Sequence, residues 1–338
     1  MARLRRASQK ELEDAVTALR NGDLVAFPTE TVYGLGANAR DAAALRRIFE
    51  AKGRPADHPL ILHLDNPRFV SRWVAGLPPQ FEPLAKAFWP GPMTLVMNRS
   101  EEASDVLTGG QDTVAIRIPS HPMAQQLLTA FGGGIAAPSA NKYGRVSPTR
   151  PEHVREELGD AVKLILDGGE CTIGVESTIL SLAGEKPRLL RPGSIGQSQI
   201  EAVIGPVEVG ADAGAPRVPG STAQHYSPAT AVATVPSTLL ESRIDTLLRD
   251  ARRVAVLAQR PPRKAQQGVT WINAGRRLDA YQRDLYANLR SLDKAGADLI
   301  LQVGDFGFWP RGNNNSGQKY LRKVDAKLAT FGLDLWFI

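Results

Sequence analysis

Four short stretches of the chain carry more hydroxyl, amide and charged groups than packing alone requires. They are residues 28–36, 52–55, 113–119 and 136–141. A lysine offers a point charge and an arginine a planar fork of donors, and both suit the phosphates of a nucleoside triphosphate. Residues 28–36, with three hydroxyls and a carboxylate, are either a pocket wall at the end of a strand or a polar turn before the next helix.

The other stretches also have a structural interpretation that the sequence leaves open. Lys52 and Arg54 can complement the dipole at a helix C-terminus instead of binding phosphate. Arg117 interrupts an apolar strand, where it needs either a salt bridge or an anionic ligand such as a carboxylate. Ser139 and Asn141, at i and i+2 of an extended segment, are either ligand anchors that point the same way or turn residues.

Several common signatures of nucleotide and metal sites are missing from the sequence. No G-x-x-x-x-G-K-[ST] is present, and Gly34-Leu35-Gly36 lacks the third glycine of a dinucleotide fingerprint. Cys171 is the single cysteine, which excludes an internal disulfide and a multi-cysteine metal site. His58 and His63 have no further ligand at metal-site spacing, so no metal site built from protein ligands is expected. If the protein binds a phosphate, side chains arrayed on an open sheet must therefore bind it.

The composition predicts a folded chain outside the membrane. Hydrophobic residues make up 43% of 338 residues, and Lys+Arg 41 against Asp+Glu 35 leaves a formal charge of +6. This excess is too small to predict stable nucleic-acid binding by itself. No apolar run approaches the ~20 residues that cross a bilayer, and no apolar stretch follows the N-terminal arginines as in a secretory signal. We therefore expect a cytoplasmic protein.

The elements that must position these residues alternate between helices and short apolar strands. Ser8 and Glu11 predict a capping box at the start of one helix, and Asp41 caps another that ends near Gly53. The irregular spacing of the predicted strands favours a mixed sheet in an α/β domain. The predicted strands are Leu24–Phe27, Leu60–Leu62, Met93–Met97, Val114–Ile118, Ile135–Ala137, Leu164–Leu166 and Thr178–Leu182.

The composition of the chain changes near Gly205. Proline and glycine dominate residues 205–228, as in a semi-rigid linker. Beyond the linker we predict a strand at Val254–Leu257, a helix at Leu278–Ala295 and a strand at Leu299–Val303, enough for a smaller C-terminal α/β domain. The predicted organisation is therefore a catalytic domain over residues 1–204, a linker over 205–228 and a second domain over 229–338.

Seven stretches, in this order, resemble the YrdC-like domain of the threonylcarbamoyl-AMP synthase family: PTETVYGLG, KGRPADHPL, WPGPMTLV, VAIRIPSHP, APSAN, GVESTI and LLRPGSI. The resemblance covers about residues 8–200. It implies a YrdC-like mixed twisted sheet with helices around an open concave site. His225-Tyr226-Ser227-Pro228 and the smaller C-terminal α/β domain resemble the long form of the family.

The resemblance implies a reaction in which L-threonine, bicarbonate and ATP give threonylcarbamoyl-AMP and pyrophosphate. This product is the first intermediate of N6-threonylcarbamoyladenosine in tRNA. Mg²⁺ is expected with ATP, held by the phosphates and water. The implied partners are the three substrates and the downstream tRNA threonylcarbamoyl-transfer machinery, with no membrane contact and no stable direct binding of tRNA.

The resemblance also assigns roles to individual residues. The catalytic residues it implies are Lys52, Arg54, Ser139 and Asn141. The ATP-binding residues are Arg54, His58, Thr113, Ser139, Ser147 and Arg191. The threonine-binding residues are Thr31, His63, Arg117, Ala137 and Ser177, with Arg117 the natural partner of the threonine carboxylate. His225 and Tyr226 are candidates for a lid supplied by the linker.

The sequence departs from the pattern of the family in two places. The linker keeps Pro219-Gly220 but lacks the Met, Tyr and Arg that relatives carry before the H-Y-x-P element, and the tail after Gly304 lacks their N-D-R-L-R-like helix.

An RNA-binding, translation-associated module would need stacking aromatics among its basic clusters, but aromatic residues are only 6% and do not interleave with them. A carbamoyl-transfer enzyme of the hydrogenase-maturation type carries a zinc-finger-like part, which a single cysteine excludes.

Overall fold

A computed structural model of the chain describes residues 8–210, 214–220 and 227–303, together with the backbone of residues 3–6. The lid candidates His225 and Tyr226 lie outside the described residues, as does the atypical tail from residue 304 onwards.

The chain folds as two compact units. Of the described residues, those up to 143 together with 147–210 and 214–220 form the first unit, and residues 144–146 together with 227–303 form the second. The predicted boundaries after residues 204 and 228 stay predictions. Over the part of the chain that is described, no helix combines the length and the apolar character needed to span a membrane.

Helices alternate with short strands along the first unit. The helices are α1 (Gln9–Arg20), α2 (Ala42–Lys52), α3 (Phe81–Phe88), α4 (Asp105–Thr108), α5 (Pro122–Phe131), α6 (Pro151–Leu158) and α7 (Gln197–Ile204), with 3₁₀ turns at Pro67–Arg72 and Gly159–Ala161. The strands are β1 (Arg3–Arg6), β2 (Val25–Phe27), β3 (Gly34–Asn38), β4 (Ile61–His63), β5 (Met93–Asn98), β6 (Thr113–Arg117), β7 (Ile135–Ala136), β8 (Leu164–Asp167), β9 (Thr178–Ser181), β10 (Arg188–Arg191) and β11 (Glu208–Val209).

The structure confirms the predicted starts of α1 and α2 and the predicted end of α2. The Ser8 backbone N–H donates to Glu11 Oε2 over 2.8 Å, which is half of the predicted capping box. The Asp41 carboxylate accepts the N–H groups of Ala43 and Ala44 and so begins α2. Gly53 ends α2 in the left-handed conformation, with φ at 62°. This sharp end places Lys52 on the last turn of α2.

Within the described residues, eleven strands form one sheet in the order β1-β8-β2-β3-β7-β4-β6-β5-β9-β10-β11. Neighbours such as β4 and β6 are parallel and others such as β5 and β6 antiparallel, which confirms the predicted mixed sheet. All seven predicted strands are present. Residues 28–33 connect β2 to β3 (Gly34–Asn38), which pairs with β2 in a hairpin, so the alternative of a polar turn before the next helix is wrong. Sequence reasoning missed β3 because glycine disfavours strands.

The sheet is buried on both faces. In β2, Val25 and Phe27 belong to one apolar cluster, which α1 and α5 complete, whereas Ala26 belongs to the cluster that includes residues of α2 and α3. Alternate residues of a strand point to opposite faces, so both faces are apolar here. The polar residues that interrupt these strands therefore stand in an apolar environment, where each needs a partner.

The second unit has a parallel sheet of its own, and four of its strands are described. They follow the order β12 (Val232–Val235), β15 (Leu299–Val303), β13 (Val254–Ala258), β14 (Val269–Asn273), with helices α8 (Leu240–Arg249) and α9 (Leu278–Lys294). The smaller C-terminal α/β domain is thereby confirmed. The sequence did not predict β12 and β14; β14 is partly exposed and mixes polar with apolar residues, so its pattern is weak.

Candidate active site

Lys52 joins the end of α2 to the segment that follows β7. Its side chain is almost fully buried, with 3% of the residue exposed, and Nζ donates to the backbone carbonyls of Ser139 and Asn141 at 2.5 Å each. Burial and the nearby Arg54 charge hold the pKa of Lys52 well below its ordinary value. The two hydrogen bonds direct the Lys52 side chain away from its own helix and towards the 139–141 segment.

The 139–141 segment runs beside β3. The Leu35 N–H donates to the Pro138 carbonyl and the Ala140 N–H to the Tyr33 carbonyl, both at 2.8 Å. Ala137 is tied to the neighbouring strand, its N–H donating to the Ile61 carbonyl at 2.9 Å. These backbone bonds continue the sheet beyond β7, so the segment has extended geometry that fixes where its polar side chains start.

Arg54 lies just past the end of α2 and is also buried. Its Nη2 donates to the Pro59 carbonyl at 2.8 Å. His58 is half-buried and packs edge-on against Tyr143, with ring centroids 5.4 Å apart. Burial and the Arg54 charge lower the pKa of His58, so this imidazole is neutral at physiological pH. Lys52, Arg54 and His58 thus lie within seven consecutive residues at and just after the end of α2.

A second buried polar cluster surrounds Arg117 at the end of β6. Its guanidinium donates from Nη2 to Glu30 Oε1 at 2.7 Å and from Nη1 to Thr31 Oγ1 at 2.8 Å. Burial alone would raise the pKa of Glu30, but the charge and hydrogen bond of Arg117 lower it overall. The salt bridge that the sequence left open is therefore present, and Glu30 is its partner.

His63 lies beside Arg117, because β4 and β6 pair these two residues in register. Burial and the Arg117 charge lower the pKa of His63 to about 3, so the ring is neutral. Its Nδ1 lies 3.1 Å from the Ile61 carbonyl oxygen. A neutral imidazole in this position can form a hydrogen bond to a ligand without adding a charge.

Ser177 and Arg191 form a third cluster. Arg191 donates from Nη2 to Ser177 Oγ at 2.9 Å and from Nε to the Ser177 carbonyl at 3.0 Å. The Ser177 hydroxyl also lies 2.8 Å from Thr94 Oγ1. Since β5 pairs Thr94 directly with Arg117, the sheet register connects this cluster to the Arg117 cluster.

Ser147 and Glu176 extend the third cluster. Ser147 is fully buried, and its hydroxyl donates to Glu176 Oε1 at 2.6 Å. The other oxygen of Glu176 lies 3.7 Å from Arg191 Nη2. Sequence reasoning assigned no role to Glu176, although it stands in the GVESTI stretch beside Ser177. The sequence signal that could have identified Glu176 is a carboxylate inside a motif that was interpreted only for its hydroxyl groups.

Thr113, an ATP-binding candidate, begins β6, whereas Arg117 of the threonine group ends it. About 13 Å of strand therefore separates these two residues at ~3.3 Å per residue. Thr113 is half-exposed and pairs with Asn98 on β5.

Over the described residues, no three His, Cys, Asp or Glu side chains stand close enough together to hold a metal ion.

Sequence profiles of two families match the chain. The family described as "Telomere recombination" matches residues 17–193, and "Threonylcarbamoyl-AMP synthase, C-terminal domain" matches residues 195–307. Together they span both units.

Individual relatives match over most of their length. A threonylcarbamoyl-AMP synthase of Pyrococcus abyssi is 41% identical over 310 residues, which cover 88% of this chain and 90% of the relative. One of Bacillus subtilis is 42% identical over 307 residues, covering 86% and 87%. A crystal structure of P. abyssi Sua5 complexed with L-threonine superposes with a TM-score of 0.84 at 40% identity, covering 90% of this chain and 92% of that one. The chain belongs to the threonylcarbamoyl-AMP synthase family.

Proposed function

We propose that this chain condenses L-threonine, bicarbonate and ATP into threonylcarbamoyl-AMP, releasing pyrophosphate. The observation that carries the proposal is the presence of two groups of buried polar residues in the first unit, one at the end of α2 and one on neighbouring strands of the sheet. Lys52 and Arg54 supply two buried cations whose side chains donate to backbone carbonyls. Arg117 and His63, in register on β6 and β4, supply a polar cluster suited to an amino acid.

The nucleotide half of the site is proposed to bind the triphosphate of ATP. Lys52 offers a point charge and Arg54 a fork of donors, and both are more effective in a buried site than in water. Ser139 and Asn141 are proposed to hold the reacting α-phosphate. The other proposed nucleotide contacts are His58, Thr113, Ser147 and Arg191.

The threonine half is proposed to lie around Arg117. Its guanidinium is oriented by Glu30 and Thr31, and its remaining N–H groups are proposed to receive the threonine carboxylate. A neutral His63 adds a hydrogen bond without adding a charge. The other proposed contacts are the backbone of Ala137 and the hydroxyl of Ser177. The P. abyssi relative whose crystal structure is complexed with L-threonine supports threonine as the amino acid that is bound.

The proposed chemistry needs alignment and charge neutralisation more than covalent help. The neutral amine of threonine combines with bicarbonate to give the N-carboxylate and water. A carbamate oxygen then bonds to the α-phosphorus of ATP while the bond to the bridging oxygen breaks, and pyrophosphate leaves. Cations that neutralise the phosphates stabilise the charge that develops on this leaving group.

Mg²⁺ is proposed to arrive with ATP. The described residues offer Glu176 but no cage of carboxylates, a donor set that fits an ion held by phosphates and water. When bound, Mg²⁺ would neutralise phosphate charge. The product is proposed to pass to tRNA threonylcarbamoyl-transfer machinery in the cytoplasm, and His225 and Tyr226 remain candidates for a lid.

The test is pyrophosphate release by the purified protein with MgATP, with and without L-threonine and with and without bicarbonate. We expect release that requires both. Release that ignores threonine would overturn the proposal. Turnover dependent on carbamoyl phosphate would favour the carbamoyl-transfer class, and RNA binding without turnover the RNA-binding class.

A further inference from the structure

Glu176 is a carboxylate in a region that we propose binds a polyanion. Its side chain is only 11% exposed and lies among residues assigned to ATP and threonine. A carboxylate close to a triphosphate repels it, since charges of like sign interact strongly away from bulk water. Such a residue is tolerated only where it contributes something that outweighs this repulsion.

The two oxygens of Glu176 contact two different parts of the proposed nucleotide site. Oε1 accepts the Ser147 hydroxyl at 2.6 Å, and Oε2 faces Arg191 Nη2 at 3.7 Å. Ser147 lies in the chain after β7, whereas Arg191 ends β10. One carboxylate therefore orients a hydroxyl and a guanidinium that come from separate elements of the first unit.

Glu176 also acts on Lys52 through its charge. Burial, Arg54 and Lys142 favour the neutral amine of Lys52, whereas Glu176 and Glu157 favour the charged ammonium. The two carboxylates therefore oppose the loss of the charge that phosphate binding requires. Of the two, Glu176 is the one that also contacts Ser147 and Arg191.

We propose that Glu176 is a positioning residue for the adenylate-forming reaction, which orients Ser147 and Arg191. Its negative charge also favours the charged form of Lys52. The proposal rests on the proposed function. It differs from a role as a ligand of Mg²⁺, because a ligand would act through the metal requirement and not through Lys52.

The two contributions can be separated with two substitutions. Glu176→Gln keeps the size of the side chain but removes its charge, whereas Glu176→Asp keeps the charge but withdraws it by one methylene. The control is Glu170→Gln, which removes a carboxylate from an exposed salt bridge with Arg150. The measurements are kcat and KM for ATP in pyrophosphate release across a range of pH, with circular dichroism to check folding.

We expect Glu176→Gln to lower kcat/KM for ATP by about 10- to 100-fold, since misplacement by about 1 Å costs up to this much. Activity needs charged Lys52 and falls as pH rises through its pKa. Removing Glu176 lowers that pKa, so the alkaline limb of the profile moves to lower pH. Glu176→Asp should lower kcat/KM while the limb stays near its wild-type position. Glu170→Gln should match the wild type.

Three outcomes would overturn the proposal while the proposed function stands. They are wild-type kinetics in a folded Glu176→Gln variant, an unmoved alkaline limb, and a loss that excess Mg²⁺ restores. If Glu176→Gln does not fold, wild-type kcat/KM in Glu176→Asp has the same consequence. Wild-type release that does not require threonine would instead overturn the proposed function itself.

Discussion

Lys52 is held by neutral groups, because both of its acceptors are backbone carbonyls. Carbonyl dipoles stabilise an ammonium without cancelling its charge, so the charge remains for an anionic ligand. Arg117 differs, since its guanidinium is paired with the buried Glu30 carboxylate. Lys52 and Arg117 therefore carry the same charge but can have different functions, because their hydrogen-bond partners differ.

Removing the charge of Lys52 or Arg54 tests the phosphate role at the residue scale. Lys52→Met keeps the buried aliphatic stem, and Arg54→Ala removes the guanidinium. We expect each to lower kcat/KM for ATP by roughly 100- to 1,000-fold, as for the loss of one preorganised donor. Lys86→Ala, on the exposed face of α3, is the matched control. Near-wild-type rates in both folded variants would contradict the phosphate role.

The neutral state of His63 makes the stability of the protein depend on pH. Its pKa is about 3 in the folded chain and ~6.5 when unfolded, so the unfolded state binds the extra proton between these values. Lowering the pH from 7 to 5 should therefore cost about 2 kcal/mol through His63 alone.

Chemical denaturation of the wild type and of His63→Gln at both pH values measures this cost. The other histidines are common to both proteins, so their contributions cancel in the difference. We expect the variant to lose about 2 kcal/mol less than the wild type on acidification. Equal losses would show that His63 does not carry the effect.

At the scale of elements, strand register assembles the threonine half of the site. β6 lies between β4 and β5, which places Arg117 between His63 and Thr94.

On the other side of β7, β3 must pass close to its neighbours. A Cβ on Gly36 would stand 2.9 Å from Phe27 Cε1 and 3.0 Å from Ile135 Cγ2. The glycine of the motif is therefore required by packing.

Gly36→Ala is the corresponding test. The added methyl group meets two buried side chains, and we expect it to destabilise the fold by about 1–3 kcal/mol. Gly76→Ala is the control, because no atom lies within 4 Å of its added Cβ. Urea denaturation of both variants measures the difference, and equal stabilities would contradict the packing argument.

At the scale of the whole molecule, charge is spread thinly. A formal charge of +6 over 338 residues gives little of the electrostatic attraction on which nucleic-acid binding depends. The chain is therefore expected to make a small-molecule intermediate of tRNA modification without holding tRNA itself.

Binding of unmodified tRNA to the full chain tests this expectation. We expect no complex tighter than about 10⁻⁶ M at physiological salt, with any weak association lost as salt rises. Protein heated to denaturation is the control for non-specific retention. A submicromolar complex that persists at high salt would contradict the expectation and favour direct delivery of the intermediate.

Much of the fold was predictable from local patterns. Apolar runs predicted seven strands of the large sheet, and Ser8, Asp41 and Gly53 predicted helix ends, because capping and burial depend on residues close together in the chain. The strands that were missed, such as β3 and β14, have glycine-rich or mixed sequences whose pairing depends on distant neighbours.

The sequence by itself determined the family, the mixed α/β class and the residue types available for phosphate and amino-acid binding. The ordered motifs carry this information, since each is a local arrangement of side chains. Tertiary structure alone decided the partners: Glu30 for Arg117, two carbonyls for Lys52, and Glu176 for Ser147. These contacts join residues up to 89 positions apart, and their effect on charge arises from burial, which no local pattern specifies.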